Sequence, residues 1–293
     1  MNTLKKKKYN YCAYLYLLPA FFIFSVFIIY PMYFVFKVSF FEWDGFAPDM
    51  VFSGFQNYID IFNKGYLGIA LKNFLLFFVF TVSIQMLLGM ILATSLKVQT
   101  FFRTLVKSIV FIPVVLTPVI IGYIFSKMLE SNLGIVNTFL RGVGLDFLAQ
   151  NWLGDPNLAM GSIIVINIWQ WTGFSLIMYV AGIVSIPEEI YDAASIDGAN
   201  AFKKFVKITV PMLKSTHSTM LILSAIGALK VFDIVWVLTK GGPGIATSTF
   251  SIMIYKESFS SYNQGVSSAL SVILILCALV VTAFQLRLFR EKD

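Results

Sequence analysis

Six long apolar segments alternate with polar ones along the chain, at residues 14–36, 73–96, 108–128, 160–184, 216–238 and 266–288. A helix of about 20 apolar residues can cross the hydrocarbon core of a bilayer. Inside lipid the backbone must satisfy its own hydrogen bonds, and the strands of a β-barrel would give short alternating segments instead. The pattern therefore predicts an all-α polytopic membrane protein with six transmembrane helices, folded as a single domain over residues 1–293.

Prolines and glycines interrupt this pattern at two places. Pro113 and Pro118 lie inside the third segment, where each removes a backbone donor and should kink the helix. Such a kink is either a packing irregularity, the more common case, or a mechanical hinge. The "KGGPG" sequence at Lys240–Gly244 should end the fifth helix sharply.

The composition agrees with a membrane protein, since 58% of the residues are hydrophobic and the mean hydropathy is +0.81. A net charge of +7 could point to nucleic acid, but the cations follow the positive-inside rule. The basic residues assigned to the inner side are Lys5–Lys8, Lys97, Arg103, Lys107, Lys203, Lys204, Lys207, Lys214, Arg287, Arg290 and Lys292. We therefore expect no nucleic-acid partner, an uncleaved first span, and both termini on the cytoplasmic side of the plasma membrane.

One inner segment, residues 185–214, is polar and helix-patterned. Ser185 and Glu188 fit a capping box that would start a helix, and Asp197-Gly198 would end it, because glycine accepts the left-handed conformation. Ile190, Ala193 and Ala194 recur at helical spacing and form a narrow apolar stripe. The segment should therefore begin with a short cytoplasmic helix, which either docks on a protein partner or is a surface loop without one.

A second helix should follow the turn. Its apolar side is predicted to carry Phe202, Phe205, Val206 and Thr209 and to lie either on the membrane or against the bundle. Lysines occupy the other side and face the cytosol and anionic headgroups. Pro211 breaks the pattern where the fifth span begins. The segment is thus predicted to be a helix-turn-helix joined rigidly to a transmembrane helix.

The spacing in this segment resembles the EAA loop of ATP-binding-cassette importer permeases. The matching positions are Asp192-Ala193-Ala194, Gly198, Ile208, Val210 and Pro211. Asp192 stands where the family motif has glutamate, and Val210 where leucine is usual. Further stretches, "FSGFQNY", "NWLGDPNLA", "INIWQWTGF", "SIPEEIYDAASIDGA" and "GALKVFDIVWVLTKGGPGIAT", are similar to the sugar-type branch related to maltose and glycerol-phosphate importers.

This resemblance implies a permease subunit that forms the translocation path of a bacterial carbohydrate importer. Its expected partners are a second homologous permease, two cytoplasmic ATPase subunits that bind ATP and Mg, and an extracytoplasmic sugar-binding protein. The loop would be the coupling helix that sits in a groove of an ATPase subunit. The coupling residues we expect are Glu188, Glu189, Asp192, Ala193, Ala194, Asp197, Gly198 and Ala199.

The chain carries no sign of chemistry of its own. The sequence has no G-x-x-x-x-G-K-[ST] phosphate loop, so we expect a transport subunit that is not an enzyme. His217, the only histidine, cannot build a zinc site by itself, and we expect no metal or cofactor. It should be an interfacial hydrogen-bonding residue.

Polar groups inside the apolar segments are candidates for the substrate path, since they are costly in lipid and usually face the bundle interior. Amides and aromatic rings suit sugars, which offer hydroxyls and C–H faces. The candidates are Asn167, Trp169, Gln170, Trp171, Lys230 and Asp233, with Asn73 and Gln85 as weaker ones. Ordinary packing is an equally good explanation of the amides and tryptophans. Lys230 and Asp233, three apart on one helical face, could instead form a structural ion pair.

Two other functions stay open at this point. An ion-driven secondary transporter should show repeated halves and carboxylates buried in its spans, whereas Asp233 is the only acidic residue well inside a predicted span. A scaffold or assembly protein would need neither a substrate path nor an energy source.

Overall fold

The computed structural model describes residues 11–96 and 100–289. Several of the cations assigned to the inner side lie outside these ranges, namely Lys5–Lys8, Lys97, Arg290 and Lys292. Within the described residues the chain is overwhelmingly helical, as predicted.

Four of the six predicted spans are continuous helical segments long and apolar enough to cross a membrane. The first consists of α1 (Tyr11–Phe24), a π-helical turn (Ser25–Ile29) and α2 (Tyr30–Val38). The second, fourth and sixth are α4 (Tyr66–Ser95), α8 (Ala159–Val184) and α15 (Gln264–Phe289). These four predictions are confirmed, with boundaries shifted by a few residues.

The third predicted span is broken into α5 (Phe101–Val115) and α6 (Pro118–Met128), which meet at an angle of 94°. Leu116 and Thr117, between the two helices, have extended backbone. Proline disfavours helical geometry in the residue before it, so Pro118 forces Thr117 out of the helix and then begins α6. The predicted kink is confirmed, and it lies at Pro118 rather than at Pro113, which is inside α5.

The fifth predicted span is also broken, into α12 (Lys214–Leu229) and α13 (Asp233–Thr239), with a bend of 44°. The prediction of one continuous helix here is wrong, and no proline causes the break. Asp233 is the first residue of α13. Its carboxylate stabilises the start of this helix, because the N-terminal end of a helix dipole is positive. Thr249 Oγ1 donates to the carbonyl oxygen of Val231 at 2.9 Å, which stabilises the gap between the helices.

The break separates Lys230 from Asp233, so the prediction that they share one helical face is wrong. Lys230 follows the end of α12, whereas Asp233 is the first residue of α13. Within the described ranges the only ion pair joins Lys64 to Glu257. A structural ion pair between Lys230 and Asp233 is therefore not observed.

The bundle is built around α4 and α8, which approach closely where Gly89 of α4 meets α8. A Cβ at Gly89 would lie 2.6 Å from Cβ of Ser175. Gly173 allows the same closeness to α5, since a Cβ there would lie 2.3 Å from the carbonyl oxygen of Val110. Small residues let helices approach closely in membranes, and here they fix the broken third span against α8.

Shorter elements lie between the spans. Two antiparallel two-residue strands, β1 (Phe41–Glu42) and β2 (Val51–Phe52), form a hairpin that the sequence analysis did not predict. The remaining helices are α3 (Gln56–Asn63), α7 (Ile135–Gly142), a 3₁₀ turn (Asp146–Leu148), α9 (Glu188–Ile196), α10 (Ala201–Lys204), a π turn (Phe205–Thr209), α11 (Val210–Met212), α14 (Phe250–Tyr255) and a second π turn (Lys256–Ser260).

Candidate functional site

The polar insert begins with helix α9, whose start differs from the predicted one. Pro187 precedes the first helical residue, and no side chain caps the helix. Ser185 Oγ instead donates back to the carbonyl oxygen of Gly182 at 2.7 Å. The predicted capping box is therefore wrong, because the end of α8 supplies a closer acceptor for the hydroxyl.

The end of α9 is as predicted. Gly198 has a φ of +74°, the left-handed conformation that glycine adopts at little cost. Its N–H donates to the carbonyl of Ser195 at 3.1 Å, and the N–H of Ala199 donates to that of Ala194 at 2.9 Å. These two bonds form a Schellman motif, so the turn after Asp197 is tightly defined.

The second predicted helix is interrupted. Its central turn, Phe205–Thr209, is π-helical, which shifts the faces relative to a regular α-helix. Thr209 is buried, but Phe202 is 74% exposed and Val206 is 45% exposed. Thr209 therefore packs against the bundle, whereas Phe202 and Val206 do not, and their contact with the membrane stays a prediction.

Helix α9 has an anchored back and an exposed front. Ile190 and Tyr191 pack against an apolar cluster that includes Tyr179 and Leu213, and Tyr191 Oη and Thr209 Oγ1 share a hydrogen bond of 2.9 Å. Ala193, which was predicted to share a stripe with Ile190, is exposed. Among the predicted coupling residues, the exposed ones are Glu188, Glu189, Asp192, Ala193, Asp197 and Gly198, and the half-buried ones are Ala194 and Ala199.

His217 ties the insert to the bundle. Tyr179 Oη lies 2.8 Å from His217 Nδ1, and His217 Nε2 lies 3.1 Å from the carbonyl oxygen of Val210. Both contacts are satisfied when Nε2–H donates to Val210 and Tyr179 donates to Nδ1. His217 is thus a hydrogen-bonding residue, as predicted, and it joins α8 to α11.

A cavity of about 390 Å³ lies between α4, α8 and the two broken spans. Five of the six predicted path residues line it, namely Asn167, Gln170, Trp171, Lys230 and Asp233. The aromatic side chains in its wall are those of Phe77, Phe174 and Phe232, beside Trp171. Lys230 and Asp233 lie on either side of the break in the fifth span, and both line this cavity.

Amide groups form one wall of the cavity. Gln85 Nε2 lies 3.3 Å from both the side-chain and the backbone oxygen of Asn167. Gln170 Nε2 donates to the carbonyl oxygen of Leu116 at 3.2 Å, while its Oε1 is buried and has no hydrogen-bond partner in the structure. The wall can therefore donate to and accept from a ligand with several hydroxyls.

Trp169 does not line the cavity. Its ring packs against Phe125, with the centroids 5.3 Å apart, and it is 47% exposed. Neighbouring residues on a helix point in different directions, so Trp169 leaves the face that Gln170 occupies. Its assignment to the path has no support from this geometry.

The two weaker candidates have different roles. Gln85 lines the cavity, and the sequence signal for this role is the high cost of an amide side chain in an apolar helix. Asn73 does not line it; its Nδ2 donates to the carbonyls of Ala246 and Ser248 at 3.0 and 2.8 Å. Thr81 also lines the cavity, but nothing in the sequence singled it out.

The part of the chain that the structure describes contains no cluster of three or more His, Cys, Asp or Glu residues able to hold a metal ion. The polar groups of the cavity are amides, hydroxyls and one charge of each sign. They can bind and orient a ligand by hydrogen bonds and aromatic contact.

Residues 85–292 match the family model described as "Binding-protein-dependent transport system inner membrane component". The chain belongs to this family. It is 34% identical to the probable ABC transporter permease YurN of Bacillus subtilis, over 94% of this chain and 95% of that protein. It is 33% identical to the trehalose/maltose permease MalF of Thermococcus litoralis, over 99% and 98% of the two chains.

A solved structure agrees with the fold of this family member. A chain of a bacterial ABC transporter involved in import of the acidic polysaccharide alginate superimposes with a TM-score of 0.82 at 25% identity, over 96% of this chain and 95% of that one. The resemblance to ABC importer permeases is thus confirmed over nearly the whole chain. These comparisons give no support to a secondary transporter.

Proposed function

We propose that the chain is the permease subunit of an ATP-driven carbohydrate importer and forms part of its translocation path. Relatives named for trehalose/maltose, lactose and sulfoquinovosyl glycerol transport cover 96–99% of this chain. The observation that carries the proposal is the cavity in which Asn167, Gln170 and Trp171 meet. Amides and rings together fit the hydroxyls and C–H faces of a sugar.

In this proposal α9 is the coupling helix. Its buried side is fixed to the bundle through Ile190 and Tyr191. A displacement of its exposed side would therefore be transmitted to the transmembrane helices. The coupling contacts would be made by Glu188, Glu189, Asp192, Ala193, Ala194, Asp197, Gly198 and Ala199. The four carboxylates are exposed and form no ion pair within residues 11–96 and 100–289, so they can meet basic groups of an ATPase subunit.

The proposed assembly contains a second homologous permease, two ATPase subunits and an extracytoplasmic binding protein. One solved relative is described as an alginate transporter in complex with a pentasaccharide-bound periplasmic protein, which supports the last partner. ATP and Mg would be bound by the ATPase subunits. The insert and both termini would face the cytoplasm, as the positive-inside rule requires.

Co-purification and uptake test this proposal. A tagged chain, expressed with its genomic neighbours and extracted in mild detergent, should recover stoichiometric ATPase subunits. Vesicles that contain the complex should accumulate a radiolabelled sugar from a panel of mono- and disaccharides when binding protein and ATP are present. Uptake that persists after deletion of the ATPase genes contradicts the proposal. A chain that purifies without ATPase subunits and supports no uptake of any sugar favours a scaffold role.

A further inference from the structure

Gln170 touches both the cavity and the break in the third span. Its Nε2 donates to the carbonyl oxygen of Leu116, which lies between α5 and α6, at 3.2 Å. Its side chain also lines the cavity. Within residues 11–96 and 100–289, this is the one side-chain hydrogen bond that joins a cavity residue to the gap at Leu116 and Thr117.

The Leu116 carbonyl needs this partner because of the break. In a continuous helix it would accept from the N–H of Ile120. Here Thr117 Oγ1 accepts from that N–H instead, at 3.4 Å, which leaves the carbonyl without a helical partner. The Gln170 amide takes the place of the missing helical bond and so stabilises the bent form of the span.

The other end of the same amide is unsatisfied. Gln170 is only 1% exposed, and its Oε1 has no hydrogen-bond partner. A buried acceptor without a donor destabilises the folded protein, because the oxygen has lost its hydrogen bonds to water. A substrate hydroxyl in the cavity can supply that donor, and it polarises the amide so that Nε2 donates more strongly.

We propose that Gln170 couples substrate recognition to the bend of the third span: a substrate hydroxyl donates to Oε1 while Nε2 holds the Leu116 carbonyl. This inference rests on the proposed function, since it requires that a sugar enters the cavity. Occupancy then stabilises the bent arrangement of α5 and α6. A ligand shifts a conformational equilibrium only through such a difference in contacts between states.

The fifth span offers a matched control. Thr249 Oγ1 donates to the Val231 carbonyl at 2.9 Å, which is also a carbonyl at a helix break. Thr249 does not line the cavity. Thr249→Val removes the same kind of support without removing a contact to substrate. It also removes the cap that Thr249 Oγ1 gives the N–H of Ile252, so its melting temperature is measured separately from KM.

The experiment compares Gln170→Met and Thr249→Val in the full reconstituted complex. The probe is the sugar that the panel shows to be transported, together with its monodeoxy derivatives. Gln170→Met should raise KM about tenfold, the effect of losing one hydrogen bond to a neutral partner. One deoxy derivative should raise KM about tenfold less in Gln170→Met than in the wild type, because the same binding protein delivers the sugar to both complexes. Thr249→Val should leave KM unchanged.

A second readout follows the bend. Spin labels on Ile109 of α5 and Tyr123 of α6, both exposed, report the distance across the break in a background with both cysteines, Cys12 and Cys277, replaced by serine. Sugar should narrow the distance distribution in the wild type and in Thr249→Val, but not in Gln170→Met.

Several outcomes overturn the inference. An unchanged KM in Gln170→Met does so, and so does a sugar-dependent shift that survives there or is lost equally in Thr249→Val. If Gln170→Met does not assemble, the deoxy series and the spin labels in the wild type decide: a KM insensitive to every deoxy derivative, or distances insensitive to sugar, contradicts it. ATPase recovery and sugar uptake are scored separately, so the proposed function can stand when this inference fails; no uptake of any sugar overturns both.

Discussion

The polar insert around α9 and the turn after α13 both interrupt a hydrophobic chain with polar residues, but their surroundings are opposite. The insert is rich in charged residues and has one glycine, Gly198, whereas the turn is rich in glycine and hydroxyl side chains. In the turn at Lys240–Thr249, the side chains of Thr247, Ser248 and Thr249 are buried and hydrogen-bonded to backbone or neighbouring hydroxyls. In α9 no residue is buried, and the carboxylates point to solvent.

This difference separates polar residues that hold the fold from those that can meet a partner. The buried hydroxyls of the turn at Lys240–Thr249 are hydrogen-bonded, and Asn73 of α4 donates to two of its carbonyls. We call this turn the latch, because these bonds fix it to the bundle. The insert leaves its charged front free of ion pairs within the described residues, although its back is fixed. Substitutions in the turn should therefore affect folding, and substitutions in the insert should affect coupling to the ATPase.

The largest effect is expected for Gly241→Val in the latch. Gly241 has a φ of +83°, and a Cβ there would lie 2.7 Å from Ile252 Cγ2 and from Ser248 Oγ. Strain and overlap together should cost about 2 kcal/mol or more. We expect little folded protein in detergent by size-exclusion chromatography. Gly244→Ala is the control, because Gly244 has a φ of +59° but open space around it; equal recovery of the two variants contradicts the latch.

Gly198→Pro should abolish uptake while leaving the protein folded. Proline fixes φ near −65° and cannot adopt the +74° of the turn, so the front of α9 should be reoriented. Membrane insertion and melting temperature should be close to wild type, whereas ATP hydrolysis should no longer drive transport in vesicles. Gly198→Asn, which tolerates the left-handed conformation, should retain much of the uptake. Normal uptake in Gly198→Pro would count against the coupling role.

Asp192→Lys should weaken the contact with the ATPase by about tenfold, or about 1.4 kcal/mol. The charge reversal places a cation where a carboxylate is exposed on α9. The measurement is ATPase affinity for the permease pair in detergent at low and high salt. Asp49→Lys, at another exposed carboxylate outside the insert, should bind as the wild type does. An equal loss in both variants would show a general charge effect.

Asn73→Leu should have the smallest effect on transport, because it should change stability alone. It removes the donor to two carbonyls of the latch, at a cost of about 1–3 kcal/mol. The melting temperature should fall by a few degrees, and KM for sugar should not change. Asn132→Leu, at an exposed position, should melt like the wild type. A raised KM in Asn73→Leu would place this residue in the path after all.

The apolar pattern alone determined the fold class, the four unbroken spans and the position of the insert. These features depend on length and hydrophobicity, which lipid selects directly. The Gly198 turn was also predictable, because the left-handed conformation is a local property of the chain. The EAA spacing pointed to the family that the comparisons then confirmed.

Only the tertiary structure decided how the broken spans meet and which polar groups converge. The break at Lys230–Asp233 has no proline, so no local signal marked it, and Thr249 stabilises it from a distant part of the chain. Trp169 and Gln170 are adjacent and equally plausible in sequence, yet only Gln170 reaches the cavity. The physical reason is that sequence sets what a residue can contact, whereas helix rotation and packing set which contact it makes.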